Sequence, residues 1–303
     1  MKFYKIYLLT FVVTLGCAQS KTAEVSEPAM FDEDQLLERV SVLSSDNYEG
    51  RATGERGNDS ARAYIISQFK KLNIEPFNTN YEQAFSFDRR GVAYEAKNVL
   101  AAIRGTKFPD KYIVISAHHD HLGIKNGTIY NGADDDASGV SALFSIAEYL
   151  SENPPNHTVI FASFDAEELG LQGAKHFVNT IDKEKLLLNI NMDMISRSPK
   201  NELYVVGSRY ETSLKTLIEA FNNPTDSKLL VGHDGSDGKQ DWTYSSDHGP
   251  FHKAGIPFLY FGNEDHESYH KPTDDFDAIT PKFYINAVRI ILSIFNAIDV
   301  SGL

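Results

Sequence analysis

Five short segments set oxygen and imidazole donors along the chain: Ser116-Ala-His118-His119-Asp120, Gly132-Ala-Asp134-Asp135-Asp136-Ala-Ser-Gly139, Asp165-Ala-Glu167-Glu168-Leu-Gly170, Asn191-Met-Asp193-Met194 and Ser268-Tyr-His270-Lys-Pro-Thr273. No thiolate belongs to the set. Two histidines and three carboxylates can hold two divalent ions about 3.5–4 Å apart and leave a neighbouring carboxylate over as a base. The chemistry that such a set performs is hydrolysis.

His118 follows a short apolar run, and Asp120 two positions on could accept the free imidazole N–H and fix the tautomer. His119 and His121 alternate with these residues and are expected to face away. Asp134, Asp135 and Asp136 pack three like charges before a helix, which implies that a cation neutralises at least one of them. Asp135, in the middle, is the candidate bridging ligand. Glu167 and Glu168 are adjacent carboxylates on an irregular segment and point different ways, so one can bind metal while the other handles a proton. Asp193 lies between two methionines at the end of an apolar run, where a lone carboxylate is costly unless paired or metal-bound. His270 precedes Lys-Pro in a loop and carries weight only in the company of the others.

The elements that must position these groups follow from periodicity. Apolar residues at helical spacing predict helices over 32–43 and 58–72, with a glycine-punctuated loop from Tyr48 to Gly57 between them. From residue 97 onward short apolar runs alternate with helical stretches. Strands are expected at 98–103, 112–116, 158–163, 186–190, 203–206 and 256–261, and helices at 138–150, 171–179, 211–221 and from Pro281. Strands apolar on both faces imply a mostly parallel sheet covered by helices on each side. Ligands in such sheets gather at the carboxyl ends of the strands, where His118, Glu168 and Asp193 fall.

The chain has 303 residues, 42% hydrophobic, and carries a formal charge of −13 without a basic stripe, so the electrostatic footprint of nucleic-acid binding is missing. Residues 1–17 read as a secretory signal whose apolar run, Ile6 to Gly16, is too short to span a bilayer. It closes on Cys17, the only cysteine, which resembles the acylated cysteine of a bacterial lipoprotein, although Thr14 stands where a lipobox has Leu. The expectation is export to the bacterial cell envelope with a lipid anchor at Cys17. Cleavage after Ala18, giving a soluble periplasmic or secreted enzyme, is the alternative. Residues 18–30 are a polar tether, and 31–303 form one catalytic domain.

Taken in order, the five segments resemble the co-catalytic zinc aminopeptidases of metallopeptidase family 28, from about Val40 to the C-terminal helix. The resemblance implies a three-layer αβα fold of the zinc-peptidase (phosphorylase/hydrolase-like) architecture. It also implies two zinc ions per chain: His118 and Asp193 on one, Glu168 and His270 on the other, and Asp135 bridging both. Glu167 would be the general base, and Asp120 the partner of His118. Tyr48-Glu-Gly-Arg-Ala-Thr-Gly54 and Ser246-Asp-His-Gly-Pro-Phe251 also look like family features without an assigned ligand. Many relatives insert a protease-associated domain before the first ligand; the interval from Phe87 to Asn98 is too short for one.

In this reading a metal-bridging water attacks the scissile carbonyl, Glu167 takes its proton and passes it to the leaving amine. Substrates would be peptides with a free N-terminus. An acidic cluster suits a cationic amine, whereas a carboxypeptidase would present Arg to a C-terminal carboxylate, and no Arg occurs in the five segments. Trp242, Tyr244, Phe251, Phe258 and Tyr260 are candidates for an apolar pocket, with core as the plainer reading. The rivals are a glutaminyl cyclase-like enzyme with one zinc on Asp135, Glu168 and His270, and a non-catalytic binding module, which would need a ligand to be missing.

Overall fold

The computed structural model describes residues 1–3 and 30–302; the apolar run Ile6 to Gly16, Cys17 and the tether up to residue 29 lie outside them. In chain order the strands are β1 (Glu75–Pro76), β2 (Glu82–Arg89), β3 (Val92–Ile103), β4 (Phe108–His118), β5 (Gly123–Lys125), β6 (Thr128–Tyr130), β7 (His157–Phe164), β8 (Leu186–Met192), β9 (Glu202–Val206), β10 (Lys228–Val231) and β11 (Phe258–Gly262). The α-helices are α1 (Glu33–Leu43), α2 (Arg56–Lys71), α3 (Ser138–Glu152), α4 (Gln172–Thr180), α5 (Thr212–Ala220), α6 (His248–Lys253) and α7 (Pro281–Ser301).

Nine strands form one sheet in the order β1-β3-β7-β4-β8-β11-β9-β10, with β2 paired to β3. Its centre, β7-β4-β8-β11, is parallel. Within this sheet antiparallel pairing is confined, among the described residues, to β1, β2 and β7 against β3 and to β9 against β11, and β5 and β6 form a separate antiparallel pair. Alternate side chains of the central strands enter different cores. Ile113, Ile115 and Phe161 pack with α1, α2, α3, α5 and α7, while Val114, Ile160, Ala162 and Phe164 pack with α4 and α6. This two-sided burial makes the strands continuous apolar runs and gives the three-layer α/β architecture.

Local signals set several boundaries. The Asp32 carboxylate accepts from Gln35 N at 3.0 Å and starts α1. Pro281 opens α7, where its fixed φ and missing N–H cost nothing. That helix is long and apolar enough to cross a membrane by composition, yet 67% of its apolar window is buried, and Tyr284, Ile291 and Phe295 lie in the core. The structure extends the expected strand at 98–103 back to Val92, because it pairs with β2 in a hairpin around Arg90 and Gly91. β2 buries only Phe85, its other residues being half-buried or exposed at the sheet edge, so it lacks the two-sided apolar signature of the inner strands.

Candidate metal centre

Each strand of the parallel centre, β7-β4-β8-β11, leads to a donor at or beyond its carboxyl end. β4 ends on His118, β7 on Phe164 just before the Glu167-Glu168 pair, and β8 on Met192 before Asp193; the loop after β11 carries His270. The Asp134-Asp135-Asp136 turn faces them from the start of α3. Backbone hydrogen bonds hold Asp193 to β11, with Asp193 N donating to Phe261 O at 3.1 Å.

The carboxylate of Asp135 divides its two oxygens. Oδ1 lies 3.3 Å from His118 Nε2, and Oδ2 lies 3.1 Å from His270 Nε2. His118 Nε2 is also 3.5 Å from Asp193 Oδ1, and His270 Nε2 is 3.4 Å from Glu168 Oε1. The five expected ligands therefore converge, with Asp135 between two groups. The flanking aspartates do other work. Asp134 accepts from Ser196 N at 2.7 Å and contacts His266 Nε2 at 2.9 Å. Asp136 accepts from His118 N at 3.1 Å and Gly139 N at 2.9 Å. An Asp136 oxygen does come within ligand range of His118 and Asp193, but both of its oxygens hold backbone amides, which leaves Asp135 as the stronger donor.

Two expectations are corrected here. His118 Nδ1 bonds the backbone carbonyl of Asp120 at 3.0 Å, and the nearest Asp120 carboxylate oxygen is 3.7 Å away. That carboxylate instead accepts Glu167 N at 3.0 Å and Glu168 N at 3.2 Å, so Asp120 fixes the loop of the two glutamates as well as the imidazole. His119 does turn away, to Ser163 Oγ at 3.0 Å, but His121 turns inward and its Nδ1 lies 2.9 Å from Glu168 Oε1. Strict alternation fails because β4 ends at His118 and the following residues are no longer extended strand.

The charges are strongly perturbed. Burial opposes ionisation of Asp135, but the imidazoles of His121, His118 and His270 outweigh it and hold its carboxyl well below the usual range. Glu168 is also penalised by burial, yet His121 and His270 bring it down to about 2. The adjacent Asp135 and Glu168 carboxylates raise His270 to about 10. Burial pushes Glu167 well above the ordinary carboxylate value, with His118 opposing.

Other residues give no motif-level signal and still build the site. Arg51 is fully buried, and its guanidinium donates to the carbonyls of His119 (2.9 Å), Leu43 (2.8 Å), Asn131 (2.6 Å) and Gly132 (2.9 Å), tying together both ligand loops. Asp274 accepts from Asp134 N and Asp135 N, each at 3.1 Å; burial, then Asp134, push its carboxyl up to about 6. Backbone at positive φ occurs at Ala166 (61°), Met194 (61°) and His270 (55°), beside or at three expected ligands or bases. Such strain concentrates where surrounding structure over-determines a functional geometry.

A cavity of about 250 Å³ opens onto Asp135, Glu167, Glu168, Asp193 and His270, and Met194, Trp242 and Tyr260 supply apolar wall. Phe251 and Phe258 are buried core, and Tyr244 is exposed at a different cavity. A larger cavity of about 550 Å³ shares the wall of Asn263 and Asp265 but contains none of the expected ligands.

The sequence is 31% identical over 188 residues to aminopeptidase YwaD of Bacillus subtilis, covering 58% of this chain and 38% of that protein. It is 30% identical over 187 residues to a vacuolar membrane protease of Kluyveromyces lactis, covering 60% of this chain and 19% of that one. The chain spans less than half the length of these curated relatives. The fold is similar to that of the zinc aminopeptidase BSAP from B. subtilis, with a TM-score of 0.69 at 18% identity over 88% of this chain and 95% of that one. It is likewise similar to Porphyromonas gingivalis glutaminyl cyclase, with a TM-score of 0.71 at 16% identity over 89% and 99% of the two chains. The profile of Peptidase family M28 matches residues 98–295, which contain every converging donor, and the chain belongs to that family.

Proposed function

We propose that this chain is a zinc-dependent aminopeptidase that removes N-terminal residues from peptides, with Glu167 as general base. The observation that carries the reading is the division of Asp135, one oxygen toward the His118–Asp193 pair and the other toward His270–Glu168. The donor set fits a pair of zinc ions: imidazoles and carboxylates without thiolate, and a buried Glu168 Oε1 that no donor among the described residues satisfies. His118 and Asp193 would hold one ion, Glu168 and His270 the other, and Asp135 both. When bound, zinc supplies Lewis acidity that polarises the scissile carbonyl and acidifies water toward neutral pH.

The chain's own residues supply the rest. Glu167 takes the proton of the attacking water as oxygen bonds to the carbonyl carbon, then returns it to nitrogen as the C–N bond breaks. Asp120 holds the Glu167 and Glu168 amides, so base and ligand keep their separate directions. Asp265 and the carboxylates of the cleft favour a cationic amine, and Trp242, Met194 and Tyr260 offer apolar surface for the side chain. A panel of aminoacyl-nitroanilides with and without chelator tests this; no chelator-sensitive hydrolysis of any member overturns it.

We also propose export and lipid attachment at Cys17, from the apolar run that it closes. One acyl chain anchors marginally and several anchor firmly. Membrane fractionation and processing unchanged in Cys17→Ala would replace the tether with soluble export.

A further inference from the structure

We infer that His121 is a third imidazole ligand of the metal pair, binding through Nδ1 on the Glu168 side of Asp135. The inference rests on the zinc reading above and adds a donor to it. The His121 side chain is fully buried, and among the described residues neither ring nitrogen has a hydrogen-bond partner. A buried imidazole in that state has lost water and gained nothing, unless something else meets its lone pair.

The geometry says where that something sits. His121 Nδ1 is 2.9 Å from Glu168 Oε1 and 3.7 Å from Asp135 Oδ2. His270 Nε2 is 3.4 Å and 3.1 Å from the same two oxygens. Zinc bonds of about 2.0–2.2 Å set neighbouring ligand atoms roughly 3–3.6 Å apart; the two His270 distances fall inside that range, and the two for His121 lie about 0.1 Å beyond its ends. The rings approach from different sides, with centroids 6.0 Å apart and planes 58° apart. The 2.9 Å contact is not aligned as a hydrogen bond, and Glu168 Oε1 is itself unpartnered. Two acceptors that close without facing each other are aimed at a common third point.

The fold makes room for this ring. His121 N donates to Arg51 O at 3.3 Å. At Gly132 (φ 56°) a Cβ would lie 2.1 Å from Asp135 O, 2.6 Å from His121 Cδ2 and 2.7 Å from Cγ, so only glycine leaves both the Asp135 backbone and the imidazole their places. With His121 included, the Glu168 side has four protein donors and the His118 side three.

The test is NMR of the full chain with nitrogen-labelled histidine, loaded with spin-active cadmium, beside a metal titration. The expected result is scalar coupling from the metal to three imidazole nitrogens, one of which disappears in His121→Gln. Gln can still donate a hydrogen bond to Glu168, so a mere brace would be preserved in that variant, whereas loss of a ligand lowers the affinity of the ion on the Glu168 side by about 10-fold or more. Two bound ions with only two coupled nitrogens overturns the assignment of His121 and leaves the di-metal reading standing. Fewer than two ions in the unaltered chain fails that reading instead.

Discussion

Replacing Glu167 by Gln keeps its size and reach while removing the basic oxygen, so bound zinc should be nearly unchanged while turnover falls about 10⁴-fold, the upper end for general acid–base catalysis. Glu168→Gln removes a ligand oxygen, so its loss of turnover should track a loss of zinc and be partly restored by added metal. Zinc per chain and turnover on a small aminoacyl substrate check both, and full turnover in Glu167→Gln with two zincs bound sinks the assignment. A second residue-scale outcome concerns His248, outside the metal cluster. Its Nε2 contacts Trp242 O at 2.9 Å, its Nδ1 is unpartnered, and burial lowers it from 6.5 to about 3. Below 6.5 the unfolded chain takes up a proton that the folded chain refuses until about 3, so stability falls as pH drops through that window, by roughly 5 kcal/mol at the end of it. His248→Phe should flatten the pH dependence of denaturant midpoints between those values; an unchanged slope refutes the assignment. At this scale the acids and His118 were legible because carboxylates in apolar surroundings demand a partner. His121 was not, because alternation holds only inside a strand and β4 has ended.

At the scale of elements, the inner strands and helices were legible because two-sided burial and helical spacing leave apolar patterns. Thus α1 begins one residue after the Asp32 cap, and α7 begins at Pro281 as expected. What escaped has no such pattern: the β2–β3 hairpin at the edge, and β10, four residues that are half-buried or exposed. Also unreadable was the scaffold under the ligands, since Arg51 acts on carbonyls 68 to 81 positions away. Burial disfavours its charge, and Asp135, Asp136, Asp274 and Asp120 favour it. Arg51→Met would remove the donors from four buried carbonyls and an unlike charge from the acidic cluster. Breaking such a buried network costs about 3–5 kcal/mol. Equilibrium unfolding in chelator should register that loss without any contribution from bound metal. A change under 1 kcal/mol would mean that the two ligand loops hold themselves.

Across the whole molecule, the family was legible because five segments in one order are a far narrower pattern than any one alone, and the parallel centre of the sheet accounts for their convergence. The reaction is less constrained, since a zinc aminopeptidase and a glutaminyl cyclase both share this fold. Metal count and substrate separate them. The cyclase reading needs Asp135, Glu168 and His270 only, whereas here His118 also stands 3.3 Å from Asp135 and 3.5 Å from Asp193, a grouping that the one-ion reading leaves unused. Asp135→Ala should therefore disturb both ions, and elemental analysis should find the unaltered chain with two zincs and the variant with fewer than one tightly held. Substrate follows charge. A free α-amine meets the acidic cleft favourably, so acetylating the N-terminus of a good dipeptide should abolish its hydrolysis, while amidating the C-terminus should change kcat/KM by less than 10-fold. Equal hydrolysis of acetylated and free peptides would place the chain among endopeptidases, and ring closure of an N-terminal glutamine by protein with one zinc would place it with the cyclases.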